Sequence, residues 1–276
     1  MVVQNAMRII GGMNCGMKKN KPFFSIVTPT FNRADYLSQL IEGVLSQTYK
    51  NWEHIIVNDG GTDSSPDLIH WYQKKNKNIR YFERKKNMGI GFTRNEGNSY
   101  AKGKWIVVAD SDDIWLPNRL EILYRYINLD DKKIKLLFPT PHLGLLKNFC
   151  NPWEKVDLIY GGMLWMGREG RAVRQYWKPT SLTAEKLRKG NQVIIHGACA
   201  YRKWVADKIG YRNEQRKNDD FWFVVDCWNS KVKFGFVNQP LMGYRILEDG
   251  VSRVNYQSIR REMKRKLKYE KIKDRI

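Results

Sequence analysis

Asp110, Ser111, Asp112 and Asp113 follow the apolar run KWIVVA and precede IWLPNRLE. A cluster of carboxylates is by default a solvated loop or the acidic start of a helix. Its position at the end of a buried strand, in a chain of formal charge +21, gives it a second use. Mg²⁺ or Mn²⁺, which prefer hard oxygen ligands, can sit between such carboxylates and a diphosphate and neutralise charge on a phosphate leaving group. Asp59 closes another apolar run in IIVNDGGTD, where a carboxylate can accept from the N–H edge of a nucleobase or from a ribose hydroxyl. Asn and Asp followed by two glycines is also strong turn chemistry, and the two roles are compatible. Residues 28 to 33, TPTFNR, supply a third segment of this kind, with a backbone turn and the aromatic face of Phe31.

The elements around these segments place them at one edge. Phe23 to Thr28 reads as a buried strand, and the next helix carries Leu37, Leu40, Ile41, Val44 and Leu45 on one apolar face. Trp52 to Val57 is a second strand. The turn NDGGTDSSPD offers Thr62, Asp63, Ser64 or Ser65 as caps for a helix around Leu68 to Lys75. Ile79 to Glu83 makes a third strand, Gly91 to Ala101 a third helix and Lys104 to Ala109 a fourth strand. This alternation is the sequence form of βαβ crossovers, so the fold class is α/β, a doubly wound and mostly parallel sheet. Ligands bind beyond the carboxyl ends of such strands, which selects the loops after Thr28, Val57 and Ala109.

Beyond Pro117 the sequence predicts a helix over NRLEILYRYINL and a strand near Ile134 to Phe138. Residues 140 to 190 keep no period and are expected to form an insertion facing the acceptor. Order returns over Val193 to Tyr201, a helix from Lys203, the segment Asp219 to Trp228, a strand Lys233 to Val237 and another near Tyr244. Residues 1 to 21 are expected to be a mobile leader. The tail SIRREMKRKLKYEKIKDRI spaces Ile259, Met263 and Leu267 four apart on a basic helix, which packs on the core or docks on anionic lipid.

Composition bounds the class. With 276 residues, 42% hydrophobic and 13% aromatic, the chain can bury a substantial core, which excludes intrinsic disorder. No stretch approaches the roughly 18 to 20 apolar residues that cross a bilayer, and the N-terminus lacks the form of a signal peptide. The four cysteines lie far apart with no CxxC pair, as expected of reduced thiols in a cytosol. The basic excess is either a solvated surface or a field that draws in nucleotide diphosphates, anionic lipid or nucleic acid.

The run SIVTPTFNRADYLSQLIEGVLSQTYKNWEHIIVNDGGTD, followed by NMGIGFTRNEGNSYAKGKWIVVADSDDIWLPNRLE, closely resembles family 2 glycosyltransferases of the GT-A fold. The motifs match in order over residues 23 to 125 and more weakly to about 255. The resemblance implies transfer of a sugar from a nucleotide diphosphate sugar, a UDP-sugar being favoured, to a saccharide or lipid-linked saccharide, with inversion. It divides the chain into a GT-A domain over 22–255, with a donor half (22–130) and an acceptor half (131–255), and a basic helix over 256–276. Residue by residue, it places Thr28 and Phe31 in the nucleotide pocket, Asp59 on the base and Arg94 beside the nucleotide. Asp110 and Asp112 match D-x-D, with Asp112 on the metal and Asp110 on the ribose or metal. Asp113 is left open.

Inversion by single displacement needs a base for the acceptor hydroxyl. GYRNEQRKNDDFWFVV resembles the family's G-F-D-E followed by E-D, which makes Asp220 the expected base and Asp219 its support or substitute; the plainer role is acidic residues at a helix N-terminus. Two departures stand out: the acidic pair is D-D, and the family's Y-R-x-H is Tyr244, Arg245, Ile246, Leu247. His196 is expected to be structural or to line the acceptor pocket. Expected location is the cytoplasm, with the tail at its membrane face as a variant. A nucleotidyltransferase would open with a glycine-rich loop, which TPTFNR lacks. A nucleic-acid-binding protein, or an enzyme that glycosylates nucleic acid, is the alternative.

Overall fold

Strand periodicity builds two cores on one sheet. The computed structural model describes residues 21–128, 156–168, 170–177, 182–188, 194–213 and 218–245. β1 (Phe24–Thr30), β2 (Trp52–Asn58), β3 (Ile79–Glu83) and β4 (Trp105–Val108) run parallel in the order β3-β2-β1-β4. Their crossovers are α1 (Ala34–Leu45), α2 (Ser65–Lys75) and α3 (Ile90–Tyr100). Alternate side chains point to opposite faces: Phe24 and Ile26 pack with Leu37, Leu40, Ile41 and Val44 of α1, and Val27 packs on the other side with Ile55, Val57, Ile106 and Val108. All of β1 and β2 is buried, which is why both read as continuous apolar runs.

The second half extends the same sheet with mixed strands. β5 (Ile114–Trp115) and α4 (Arg119–Asn128) follow the acidic loop. Next come the hairpin β6 (Leu158–Met166) and β7 (Ala172–Trp177), the short helix α5 (Ala184–Arg188), and a single 3₁₀ turn, His196–Ala198, leading into β8 (Cys199–Arg202). α6 (Lys203–Lys208), α7 (Asp219–Asn229) and β9 (Phe234–Arg245) complete the described chain. The order continues β4-β8-β6-β9-β5, with β7 beside β6. β8 is antiparallel to both neighbours, β6 and β9 are parallel, and β5 is antiparallel to β9. The parallel sheet of the first half appears as expected, and the later half mixes directions.

Three sequence expectations shift. Within the ordered segment expected over Val193 to Tyr201, His196 to Ala198 form the 3₁₀ turn and the strand begins only at Cys199. Residues 158 to 166, inside the segment without period, are a strand: Leu158 to Tyr160 face buried side chains on both sides, and a Cβ on Gly161 would lie 2.4 Å from Leu241 Cδ1. β1 continues to Thr30, two residues past the expected end, which turns Thr28 inward. The expected leader, the strand near Ile134 to Phe138 and the tail over 256–276 lie outside the described residues.

α3 lies close on the sheet because residue 97 has no side chain. A Cβ there would stand 2.5 Å from Val27 Cγ1 and 3.4 Å from Val57 Cγ2. Gly97→Ala must push α3 off β1, and overpacking of this kind costs about 1–3 kcal/mol. The urea midpoint is expected to fall by that amount with an unchanged slope; a midpoint equal to wild type would show that α3 is free to move.

Candidate active site

The carboxyl ends of β1, β2 and β4 all open on the same edge, and the acidic loop begins there. α3 crosses this edge and brings in Arg94, a buried arginine whose guanidinium forks between two carboxylates. Nη2 donates to Asp110 Oδ1 at 2.6 Å, and Nη1 donates to Asp219 Oδ2, so carboxylates 109 residues apart in sequence meet across one cation. Burial alone would lower the guanidinium's pKa, but Asp219 and Asp110 hold it well above the ordinary value. Burial likewise pushes Asp110 up, and Arg94 reverses this and keeps its carboxyl below the usual range. Arg94 also sits 5.4 Å from the Tyr211 ring centroid. The Tyr211 hydroxyl reaches His196 Nε2 at 2.7 Å and the Tyr201 hydroxyl at 3.1 Å. His196 is held neutral, its pKa depressed to about 3 by burial and then by Arg94.

Asp220 follows Asp219 in the first turn of α7 and is half-buried. Its Oδ1 accepts the Phe221 N–H at 2.8 Å. Burial first, and then the charge of Asp219, raise its pKa to about 6, against the opposing pull of Arg94. Asp110 also contributes to that rise, so the two acidic segments feel one another across the cleft. Asp219 is thus committed to a cation, whereas Asp220 is tuned close to neutrality.

Asp112 is half-buried and Asp113 is buried; desolvation and then the charge of Asp110 raise both, Asp113 far above the usual range. Arg245 fixes the loop's backbone: its Nε donates to Asp112 O at 3.1 Å, it also bonds Gln39 Oε1 and Arg168 O, and it lies 5.0 Å from the Tyr36 ring centroid. Among the described residues no three His, Cys, Asp or Glu side chains gather to enclose a metal. The donor set is instead a pair of mutually repelling carboxylates, Asp110 and Asp112. That suits Mg²⁺ or Mn²⁺, whose remaining ligands are phosphate oxygens and water.

The residues expected at the nucleotide divide. Phe31 is 44% exposed at the rim and presents a free aromatic face. Asp59 is buried, and its carboxylate accepts Met88 N and Gly89 N, both at 2.9 Å, and Arg84 Nη1 at 3.1 Å. These bonds tie the loop after β2 to the start of α3. Gly60, at φ +72°, lets the two loops close: a Cβ would stand 2.7 Å from Lys86 C. Thr28 lies deeper. Its side chain is fully buried and its hydroxyl bonds His54 Nε2 at 2.9 Å, so it joins β1 to β2.

Arg84, Arg119, Tyr211 and Arg245 were not marked by sequence as contributors. Arg84 sits in the run RKK, which reads as a solvated surface, and Arg245 was visible only as part of a departure from Y-R-x-H.

The model of the family described as "Glycosyl transferase family 2" matches residues 25–210. The chain belongs to glycosyltransferase family 2. This family 2 glycosyltransferase is 36% identical over 237 residues to the putative teichuronic acid biosynthesis glycosyltransferase TuaG of Bacillus subtilis, covering 84% of this chain and 82% of TuaG. Its fold is GT-A. S. aureus TarS 1–349 in complex with UDP-GlcNAc superposes with a TM-score of 0.61 at 17% identity, over 87% of this chain and 65% of that one. A mannosyltransferase of Pyrobaculum calidifontis in complex with GDP-Man and Mn²⁺ gives 0.59 at 14% identity, over 94% and 67%.

Proposed function

We propose that this family 2 glycosyltransferase moves a sugar, with inversion, from a UDP-sugar to a hydroxyl of a saccharide or lipid-linked saccharide, in synthesis of a cell-surface polysaccharide or glycolipid. The observation that carries the reading is the Arg94 fork. It draws together Asp110, at the end of β4, and Asp219, one residue from Asp220. TuaG's name supports the class of product, and the UDP-GlcNAc held by TarS supports a uridine donor.

In this reading Phe31 stacks on the base and Asp59, through the loop that it organises, borders it. Asp112 and the second carboxylate oxygen of Asp110 would hold Mg²⁺ or Mn²⁺, which would supply positive charge against that of a diphosphate leaving group. Asp220 accepts the acceptor's hydroxyl proton as the oxygen attacks the anomeric carbon from the face opposite the diphosphate. Arg94 holds Asp110 and Asp219 in place and keeps the Asp110 carboxyl below its usual range, whereas Asp220, raised to about 6, is the carboxylate able to take a proton near neutral pH.

The test is release of UDP from a panel of UDP-sugars with Mn²⁺. Turnover is expected with at least one donor, and chelation by EDTA is expected to abolish it. Asp112→Ala is expected to weaken Mn²⁺-dependent UDP binding by at least about tenfold, since even outer-shell changes at metal sites cost about 10–100-fold. Turnover in EDTA, or unchanged binding by Asp112→Ala, contradicts the metal assignment.

A further inference from the structure

A second arginine lies beneath the acidic loop, and nothing in the proposed chemistry uses it. Arg119, at the start of α4, is fully buried. Its Nη2 donates to Val108 O at 3.0 Å and to Gly197 O at 2.6 Å, and its guanidinium carbon lies 4.1 Å from the Trp115 ring centroid. Val108 ends β4, two residues before Asp110. Gly197 lies against the other side of the loop: a Cβ there would stand 2.7 Å from Asp113 Oδ2. Asp113 in turn closes the loop on itself, donating its N–H to Asp110 O at 3.0 Å and accepting Asp110 N–H at 3.2 Å.

The arginine's own origin is fixed from α1's side. Gln47, fully buried, donates to Leu116 O at 2.7 Å and accepts Leu120 N–H at 2.9 Å, which locks the turn that carries residue 119. Nε and Nη1 of Arg119 find no partner among the described residues. A buried cation with unpaired donors is costly, and an apolar side chain of similar volume would serve a core better. The cost is offset where the charge is wanted: three carboxylates crowd the loop directly above, and the Arg119 charge opposes the rise that burial imposes on Asp113 and Asp110.

We infer that Arg119 is a positioning residue of the donor site: it clamps the last carbonyl of β4 to Gly197 and so sets the loop that presents Asp112 to a cation and diphosphate. Asp113 is then the brace of that loop over Arg119 and not a metal contact. The inference rests on the proposed function for what the loop binds, but the clamp itself can be tested without any ligand.

The experiment uses the full chain and two variants. Arg119→Lys keeps the charge, but its side chain ends one atom short of the Nη2 position from which both carbonyls are held. Arg119→Met combined with Asp113→Asn removes both charges together, so that no lone buried carboxylate is left. Hydrogen exchange over residues 109–114 without metal, and Mn²⁺ affinity in the presence of UDP, are the readouts. In both variants exchange is expected to quicken at least about tenfold, Mn²⁺ affinity to fall at least about tenfold, and kcat at saturating Mn²⁺ to change less than about threefold, in line with an outer-shell role. Wild-type exchange and affinity in either folded variant overturn the inference. Failure of both to fold overturns it too, because Arg119 would then support the whole domain and not the loop. If the wild-type protein binds no Mn²⁺ with UDP, the proposed function fails, while the exchange comparison still decides the clamp.

Discussion

Asp220→Asn is expected to lower turnover by about 10²–10⁴-fold, the usual worth of a positioned general base, while UDP-sugar affinity stays within about threefold. Asparagine keeps the shape and can still accept the Phe221 N–H through its own oxygen, but it cannot take a proton. The wild-type pH profile sharpens the test. Asp220 must be ionised to act, and burial with the Asp219 charge raises its pKa to about 6. Activity is therefore expected to rise with pH through about 6 and level off above it, falling about tenfold per unit below. The stability sign is opposite. A carboxyl whose pKa is raised on folding contributes stability below its unfolded value, about 3.9, and loses it as pH climbs through the folded value. Activity should thus appear in the same window, about 4 to 6, in which this contribution to stability disappears. In Asp220→Asn both trends are expected to vanish. Full turnover, or an unchanged acid limb, would remove Asp220 from the mechanism. Asp219 is the weaker candidate on physical grounds, since its carboxylate is buried and already engaged by the Arg94 guanidinium.

What sequence could reach follows the range of each signal. The α1 face of Leu37, Leu40, Ile41 and Val44 is written in a local period, and all four are buried. The acidic loop was legible because apolar strand, carboxylates and helix stand in immediate succession. β6 was not, since it is covered on both faces, and its glycines record contact with a distant strand and not a turn. Thr28 was assigned to the pocket by the family resemblance, with the strand expected to end there. The sheet carries β1 to Thr30, and a side chain inside a strand points into a core layer, where His54 receives it. Arg119 shows the deeper limit: its partners, Val108 and Gly197, are brought to it by tertiary packing, and no spacing in the sequence announces them.

Removing Arg94 is expected to have the largest effect on the fold and the site together. Arg94→Met leaves Asp110 and Asp219 facing one another without a cation, and an uncompensated buried charge of this kind costs about 3–5 kcal/mol. The urea midpoint should fall accordingly, and turnover should be lost. Arg94→Lys should retain part of the stability but not the geometry, because a single ammonium cannot fork to two carboxylates on different elements. The decisive comparison is the double variant Arg94→Met with Asp219→Asn. Neutralising Asp219 removes one of the two stranded charges, so the double variant should be more stable than the sum of the single changes by at least about 1 kcal/mol. Its turnover should remain lost, since Asp110 is still unanchored and the donor edge is no longer tied to α7. Additive stabilities would show that the two carboxylates do not share the arginine, and restored turnover would show that the fork serves only the fold. The two measurements therefore separate what Arg94 does for packing from what it does for chemistry, because the same cation joins the strand end that meets the donor to the helix that carries the base.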